Sequence, residues 1–199
     1  MRFKKMSASQ KLLVAGVGGQ GVVFLTTLIV EAALCADLSV ASSEIHGLAR
    51  RGGSVVSGIT IGENTYGFIE RGGADFLIGL EPLEAQRSLP FLNPRTRVVI
   101  DNRRVLPYAV NAGKASYPDS RSFIEYLQKN TQQVVVIGET DVNLSPILSN
   151  IHALGTASTL DGFPIPSEHV EKAIEVVAKE RYKDENLEAF RLGKAYVTR

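Results

Sequence analysis

The chain has 199 residues, and its 22 lysines and arginines against 21 aspartates and glutamates leave a formal net charge of +1. With 44% hydrophobic residues, this composition excludes an intrinsically disordered chain and lacks the basic excess of a nucleic-acid-binding protein. The single cysteine, Cys35, excludes an intrachain disulfide and a cluster held by four cysteines of this chain. We therefore expect a soluble cytoplasmic protein that folds as one domain over residues 1–199, with residues 1–10 flexible.

The first elements alternate between strand-like and helix-like patterns. The short apolar run Lys11–Ala15 predicts a buried strand that ends at Gly16. Val22–Ala36 predicts a buried helix, because its apolar residues recur at helical spacing and the run is too long for an ordinary strand. Ser39–Ser43 predicts a second strand, which leads into Glu44.

Two β-branched runs follow, Val55–Ile61 and Thr65–Ile69. They flank Gly62-Glu63-Asn64, a sequence typical of a turn. The pattern predicts an antiparallel hairpin near residues 54–70.

The rest of the chain continues the alternation. Phe76–Leu80 predicts a strand, and Glu81-Pro82 opens a helix because proline is well tolerated at the first helical position. The later predicted elements are strands at Arg97–Ile100 and Val134–Ile137 and helices at Ser120–Lys129, Leu144–Leu154, Ser167–Arg181 (capped by Ser167) and Asn186–Tyr196. Together they predict an α/β three-layer sandwich with a mostly parallel sheet, an antiparallel insertion and a helical C-terminal third.

A glycine-rich loop, Gly16-Val17-Gly18-Gly19-Gln20-Gly21, joins the first strand to the first helix. Glycines let a backbone turn sharply and approach a ligand, and the helix start directs unpaired N–H groups into the loop. The spacing matches the G-x-G-x-x-G dinucleotide fingerprint, with Glu44 in place of its ribose-binding acid. A tight turn without a ligand would also explain the glycines, although Gln20 adds a polar side chain that such a turn does not need.

The second dense segment covers residues 43–54 and includes Glu44, His46, the pair Arg50-Arg51 and the pair Gly52-Gly53. Two guanidinium groups beside glycine amides can clamp an anion; a solvated turn is the alternative. The second strand is expected to bring this segment to the same edge of the sheet as the first glycine loop, where open α/β sheets bind their ligands.

Taken together, the two loops resemble the gamma-type subunits or domains of the 2-oxoacid:ferredoxin oxidoreductases, and within them the indolepyruvate type. The resemblance rests on G-V-G-G-Q-G at 16–21 and S-E-I-H-G-L-A-R-R-G-G-S at 43–54. Three further segments fit it: Leu80–Ala85, Asn150–Gly155 (NIHALG) and Asn186–Gly193 (NLEAFRLG).

The resemblance implies a subunit of a thiamine diphosphate enzyme that oxidatively decarboxylates a 2-oxoacid such as indolepyruvate, forms an acyl-coenzyme A and reduces ferredoxin. Thiamine diphosphate, magnesium and the iron–sulfur clusters would reside on a larger partner subunit, with coenzyme A as co-substrate. The isolated chain would be inactive and able to form a homodimer. No membrane or nucleic-acid partner is expected.

In this interpretation the loops wall an active site shared between chains. Gly16, Gly18, Gly19, Gln20, Gly21, Gly52 and Gly53 are the candidate cofactor-binding residues, and Glu44, His46, Arg50 and Arg51 are the candidate catalytic ones. The arginines could meet a substrate carboxylate, coenzyme A phosphates or acidic residues of the partner. Two alternatives stay open: a free-standing NAD(P)- or flavin-binding oxidoreductase, and a non-catalytic interaction module.

The three histidines predict no metal site, because no two of them have the spacing of a zinc-binding helix. His152 is expected to pack within a helix or cap it, and His169 to lie at the surface.

Overall fold

A computed structural model describes residues 9–47, 52–138 and 144–196 of the chain. Residues 1–8, which belong to the segment predicted to be flexible, lie outside the described residues. None of the helices within these ranges is both long and apolar enough to cross a lipid bilayer.

Six strands of the described chain form one mixed sheet. They are β1 (Gln10–Val17), β2 (Val40–His46), β3 (Ser54–Ile61), β4 (Phe76–Gly79), β5 (Arg97–Asp101) and β6 (Gln133–Ile137). Their order across the sheet is β2-β3-β1-β4-β5-β6. β1, β4, β5 and β6 are parallel to one another, whereas β3 runs antiparallel to both β1 and β2. Because β1 and β2 are both antiparallel to β3, they run in the same direction as each other. The strands β1, β2, β4, β5 and β6 therefore end at one edge of the sheet, the carboxyl edge.

Helices cover both faces of the sheet. They are α1 (Val22–Cys35), α2 (Pro82–Arg87), α3 (Tyr108–Asn111), α4 (Ser120–Asn130), α5 (Ser149–Ala157), α6 (Ser167–Val177) and α7 (Lys183–Tyr196). Leu12 and Val14 of β1 point into a core with α1, α5, α6 and α7, while Leu13 and Ala15 point into a second core with α2 and α4. Alternate residues of one strand therefore enter opposite cores, and the predicted α/β sandwich with a mostly parallel sheet is confirmed.

The predicted hairpin near residues 54–70 is wrong in its second arm. Residues 65–69 form no strand, because both edges of β3 are already paired, with β1 and with β2. The segment instead lies against β2 and β3, held by side chains. The Gly67 N–H donates to Thr60 Oγ1 at 3.0 Å, and the Gly67 carbonyl accepts from Ser43 Oγ at 2.6 Å. The antiparallel partners of β3 are therefore β2, the strand before it in the sequence, and β1.

Several helix ends differ from the sequence predictions. The predicted helix over Leu144–Leu154 is a 3-10 turn over Pro146–Leu148 followed by α5. The helix predicted over Ser167–Arg181 ends at Val177, because Ala178 is extended. Ser167 is the first helical residue rather than the cap, and the capping position belongs to Pro166, which forms no side-chain hydrogen bond there. Such boundaries depend on single backbone dihedral angles that periodicity does not encode.

Candidate functional site

The two glycine-containing loops lie side by side at the carboxyl edge. The Gly18 N–H of the first loop donates to the carbonyl oxygen of Gly53 in the second at 2.8 Å. The base of the second loop closes where the Gly47 N–H donates to the Ser54 carbonyl, also at 2.8 Å. The expectation that β2 delivers this segment to the same edge as the first loop is therefore confirmed for the described residues.

Gly21 forms the junction between the first loop and α1. It adopts a left-handed conformation with φ 78°, and α1 has neither a side-chain cap nor an acidic residue in its first turn. A Cβ at this position would lie 2.3 Å from Asn150 Nδ2, which donates to the Gly21 carbonyl at 3.3 Å. Asn150, at the start of α5, therefore packs against the first loop. The unpaired N–H groups at the start of α1 are able to bind an anion.

Gln20 links the first loop to the neighbouring strand. Its Oε1 accepts from the Val17 N–H at 2.8 Å, and its Nε2 donates to the Leu80 carbonyl at 2.8 Å. Leu80 directly follows β4. The amide side chain thus fixes the loop against the end of β4, a structural use of the polar group that the sequence had suggested for a ligand.

The opening lined by residues 16–21 and 52–53 forms a mouth at the carboxyl edge, and two of its glycines face open space. Gly19 has φ 106° and Gly52 has φ 66°, conformations that favour glycine. A Cβ placed on either residue would have no atom within 4 Å. Together with exposed Gly18, these positions leave room for another backbone or a ligand to approach the loops closely.

The polar candidates of the second loop fall into two groups. Glu44 is exposed near the end of β2 and pairs in register with Ser57, and His46 closes the strand opposite Val55. Arg50 and Arg51 lie outside the described residues.

The position of Glu44 bears on the dinucleotide alternative. β3 lies between β2 and β1, so Glu44 stands two strand spacings, about 10 Å, from the strand that carries the glycine loop. A dinucleotide-binding fold places its ribose-binding acid on the adjacent parallel strand. The described topology therefore does not form that arrangement.

A buried carboxylate that sequence reasoning missed, Glu81, organises the middle of the carboxyl edge. It is fully buried after β4, and its Oε2 caps α2 by accepting from the Glu84 N–H at 3.0 Å. Its Oε1 accepts from the Val105 N–H at 3.3 Å and from the Tyr117 hydroxyl. Burial and then the adjacent Glu81 raise the pKa of the Tyr117 hydroxyl, which keeps this donor protonated. The sequence signal was Glu-Pro directly after an apolar strand, which we interpreted only as a helix start.

The end of β5 carries a second buried acid, Asp101, which is already paired. The Arg103 guanidinium contacts both of its oxygens, with Nε 3.0 Å from Oδ1 and Nη2 2.6 Å from Oδ2. This bidentate geometry commits both side chains to each other.

Replacing Tyr117 by phenylalanine tests the role of the Glu81 carboxylate. The variant leaves Glu81 Oε1 with only its longer bond to the Val105 N–H. Since a buried polar group that loses its hydrogen-bond partner costs about 1–3 kcal/mol, we expect a loss of about 2 kcal/mol in the free energy of unfolding, measured in urea. Faster limited proteolysis between residues 104 and 118 should accompany it. Tyr126→Phe, on the half-exposed face of α4, is the matched control, and equal stability of the two variants would contradict the assigned role.

Within residues 9–47, 52–138 and 144–196, no group of three or more histidine, cysteine, aspartate or glutamate side chains is placed to hold a metal ion.

The sequence is similar to known proteins over nearly its whole length. The model of the family described as "Pyruvate ferredoxin/flavodoxin oxidoreductase" matches residues 11–196. The chain is 38% identical to the indolepyruvate oxidoreductase subunit IorB of Archaeoglobus fulgidus over 185 residues, 92% of each protein. It is 36% identical to the subunit IorB of Methanothermobacter thermautotrophicus, over 92% of this chain and 94% of that protein.

Solved structures share the fold. The gamma subunit of a keto/oxoacid ferredoxin oxidoreductase from Geobacter sulfurreducens superposes with a TM-score of 0.66 at 21% identity, covering 96% of this chain and 99% of that one. A 2-oxoglutarate:ferredoxin oxidoreductase from Magnetococcus marinus, solved with 2-oxoglutarate, coenzyme A and succinyl-CoA bound, superposes with a TM-score of 0.65 at 22% identity. There the match covers 96% of this chain and 31% of that chain. At the level of sequence and of architecture, this chain belongs to the pyruvate ferredoxin/flavodoxin oxidoreductase family.

Proposed function

We propose that this chain is a subunit of a thiamine-diphosphate-dependent 2-oxoacid:ferredoxin oxidoreductase whose substrate is indolepyruvate or another arylpyruvate. In that reaction a 2-oxoacid and coenzyme A give an acyl-coenzyme A and carbon dioxide, and two electrons pass to two ferredoxins. The substrate class follows from the relatives named as indolepyruvate oxidoreductase subunits, at 38% and 36% identity over 92% of this chain.

The observation that carries the proposal is the direct contact between the two loops, the 2.8 Å hydrogen bond from Gly18 to Gly53. It joins both segments of the family resemblance into one mouth at the edge where α/β sheets bind ligands. Gly19 and Gly52 leave this mouth open on its outer side. We propose that a larger subunit closes it, so that the active site is shared between the two chains.

The chemistry is divided between the chains in this proposal. A cluster with four thiolate ligands needs more cysteines than Cys35 provides. Thiamine diphosphate, magnesium and the clusters are therefore assigned to the larger, cytoplasmic partner, which also docks ferredoxin. This chain contributes glycine amides, the uncapped start of α1 and the polar groups of residues 43–54 to the binding of substrate or coenzyme A.

Reconstitution tests the proposal. The larger subunit is expressed alone and together with this chain, and viologen reduction is measured with coenzyme A and a panel of aryl, branched-chain and short 2-oxoacids. We expect coenzyme A-dependent reduction only with both chains present, and fastest with arylpyruvates. Full activity of the larger subunit alone would contradict the proposal, and so would micromolar binding of NAD or NADP to this chain by itself.

The arginine pair gives a residue-level test. We expect Arg50→Ala/Arg51→Ala to lower the turnover of the assembled complex at least about tenfold, because a charge-assisted contact to a carboxylate or phosphate contributes more than about 1.4 kcal/mol. Co-purification with the larger subunit should persist, which separates a role in the active site from a role in assembly.

Arg71→Ala/Arg95→Ala provides the matched control. Both arginines are exposed and lie near the segments that begin β4 and β5, at the opposite edge of the sheet. This control should keep the wild-type turnover. If both double variants behave alike, Arg50 and Arg51 do not belong to the site.

A further inference from the structure

An exposed arm, residues 102–118, follows β5 at the carboxyl edge. Three large apolar side chains lie within four residues of it: Val105 is 39% exposed, Leu106 44% and Tyr108 79%. Clustered exposure of this kind on a polar protein surface is typical of an interaction site. The arm also contains Arg103, Arg104 and Lys114 but no acidic residue, and Arg103 is neutralised by a buried partner, Asp101.

Hydrogen bonds hold the arm in a defined conformation although the side chains at its tip are exposed. Its two ends are tied to one buried carboxylate, since Glu81 accepts from the Val105 N–H and the Tyr117 hydroxyl. Within the arm, Asn111 Nδ2 donates to the Leu106 carbonyl at 3.0 Å, and the Lys114 N–H closes α3 on the Ala109 carbonyl at 2.8 Å. A surface that is ordered before binding loses less conformational entropy when it binds.

The base of the arm borders a cleft of about 430 Å³. Arg104, Arg121 and Glu125 line it together with the apolar side chain of Ile124. Arg121 is paired with Glu125, with Nε 3.2 Å from Oε1, so the positive charge that the cleft offers to a partner is that of Arg104. Arg104 is fixed there, with Nη2 2.9 Å from Ser120 Oγ and its guanidinium carbon 5.3 Å from the centre of the Tyr117 ring. The cleft and the arm therefore present one surface that combines positive charge with apolar contact area.

Buried residues at the end of β4 link the glycine mouth to the base of the arm. Gln20 of the first loop donates to the Leu80 carbonyl, and the next residue, Glu81, anchors the arm. The first loop follows β1 and the arm follows β5, and only β4 separates these two strands in the sheet. A partner that closes the mouth from outside therefore lies about two strand spacings, about 10 Å, from the base of the arm.

We infer that the arm and its cleft are the docking surface for the larger subunit, which meets them with an acidic rim around an apolar pocket that receives Leu106 and Tyr108. The inference rests on the proposed function, since it names where that partner binds. Charge complementarity selects an acidic partner surface, and exposed tyrosine and leucine side chains supply the apolar anchor. The arm acts in assembly, whereas the loops act in the site.

The test measures the affinity of the purified chain for the larger subunit by calorimetry, with each variant's thermal unfolding recorded in parallel. We expect Leu106→Ala/Tyr108→Ala to weaken association at least about tenfold, the loss typical of an interface anchor, without lowering the melting temperature. The matched control is Leu34→Ala/Tyr182→Ala, which removes an exposed leucine and tyrosine from the end of α1 and the turn before α7.

Charge is tested separately with Lys114→Glu. We expect slower association and a weaker dependence of its rate on salt, because the steering charge is reversed. Lys129→Glu, at the end of α4, should retain the wild-type rate.

The outcomes separate the two proposals. If the wild-type chain binds the larger subunit and the arm variant binds equally well, the docking inference is overturned while the proposed function stands. If the wild-type chain does not bind the larger subunit, both fall. If sedimentation shows that the wild-type chain dimerises and the arm variant is monomeric, the occupant is a second copy of the chain, which also overturns the inference.

Discussion

Replacing Gly155 by alanine is expected to lower the free energy of unfolding by about 3 kcal/mol, the upper part of the usual range for overpacking. Gly155 lies in α5, where that helix crosses α7. A Cβ on Gly155 would stand 2.1 Å from the Phe190 carbonyl oxygen, so the two helix backbones would have to separate. The methyl group has no flexible neighbour to displace, because the obstacle is main chain.

The crossing is reciprocal, which explains why the effect should be large. A Cβ on Gly193 of α7 would stand 2.1 Å from the His152 carbonyl oxygen of α5. Between the glycines, the Thr156 hydroxyl lies 3.1 Å from the carbonyl oxygens of both His152 and Gly193. Separating the helices would therefore lose this bond and the packing of fully buried Phe190.

Urea unfolding of the purified chain measures the change. Gly18→Ala is the control for stability, because its φ is not positive and its Cβ would meet the nearest atom at 3.7 Å, an ordinary contact. A Gly155→Ala variant as stable as this control would show that the helices do not cross as closely as described.

The stability of the chain is expected to fall as the pH drops below about 6.5, with His152 as a principal cause. This side chain is 2% exposed, and its Nε2 has no hydrogen-bond partner among the described residues. Burial, with a smaller contribution from the positive charge of Arg103, lowers the pKa of His152 to about 4. A neutral imidazole is thus favoured in the folded chain.

The sign of the effect follows from proton binding. Between pH 6.5 and 4 the unfolded chain binds a proton at this histidine and the folded chain does not, so acid favours unfolding. The contribution is fully present above pH 6.5 and is lost as the pH falls towards 4, by an amount on the order of 3 kcal/mol.

Urea midpoints from pH 4.5 to 7.5 test this expectation. The wild-type chain should lose stability over this range, whereas His152→Gln should show a shallower slope because the titrating group is gone. His169→Gln, on the partly exposed side of α6, is the control for the substitution itself. Parallel pH profiles for the wild-type chain and His152→Gln would contradict the assignment.

Local sequence patterns correctly predicted the elements whose buried residues recur at a regular spacing. Val22–Ala36 was predicted as a helix and is one to within a residue, because its apolar residues meet the core at helical spacing. The helix start at Glu81-Pro82 is likewise confirmed, with proline in the first turn. Each of these signals is carried by residues that are close together in the sequence, so it can be recognised without knowing which segments pack against it.

The sequence predictions that were wrong or incomplete have a different cause, which is contact between distant parts of the chain. The strand predicted at 65–69 has suitable residues, yet β3 had no free edge left to pair with it. The carboxylate of Glu81 was interpreted as a helix start, while its use as an anchor depends on Val105 and Tyr117, which are distant in sequence. The motif glycines Gly155 and Gly193 carry family resemblance, but their role in a helix crossing is visible only when the helices are placed together.

By itself, the sequence determined the α/β class, the mostly parallel sheet and the two loops whose motifs identify the family. Only the tertiary structure decided that β3 enters between β1 and β2, that Gly18 bonds to Gly53, and that Glu81 connects the mouth to the exposed arm. The physical reason is the range of the interactions. Periodic burial and turn chemistry act between near neighbours in the chain, whereas strand pairing, close helix contact and the satisfaction of a buried charge are settled between segments that only folding brings together.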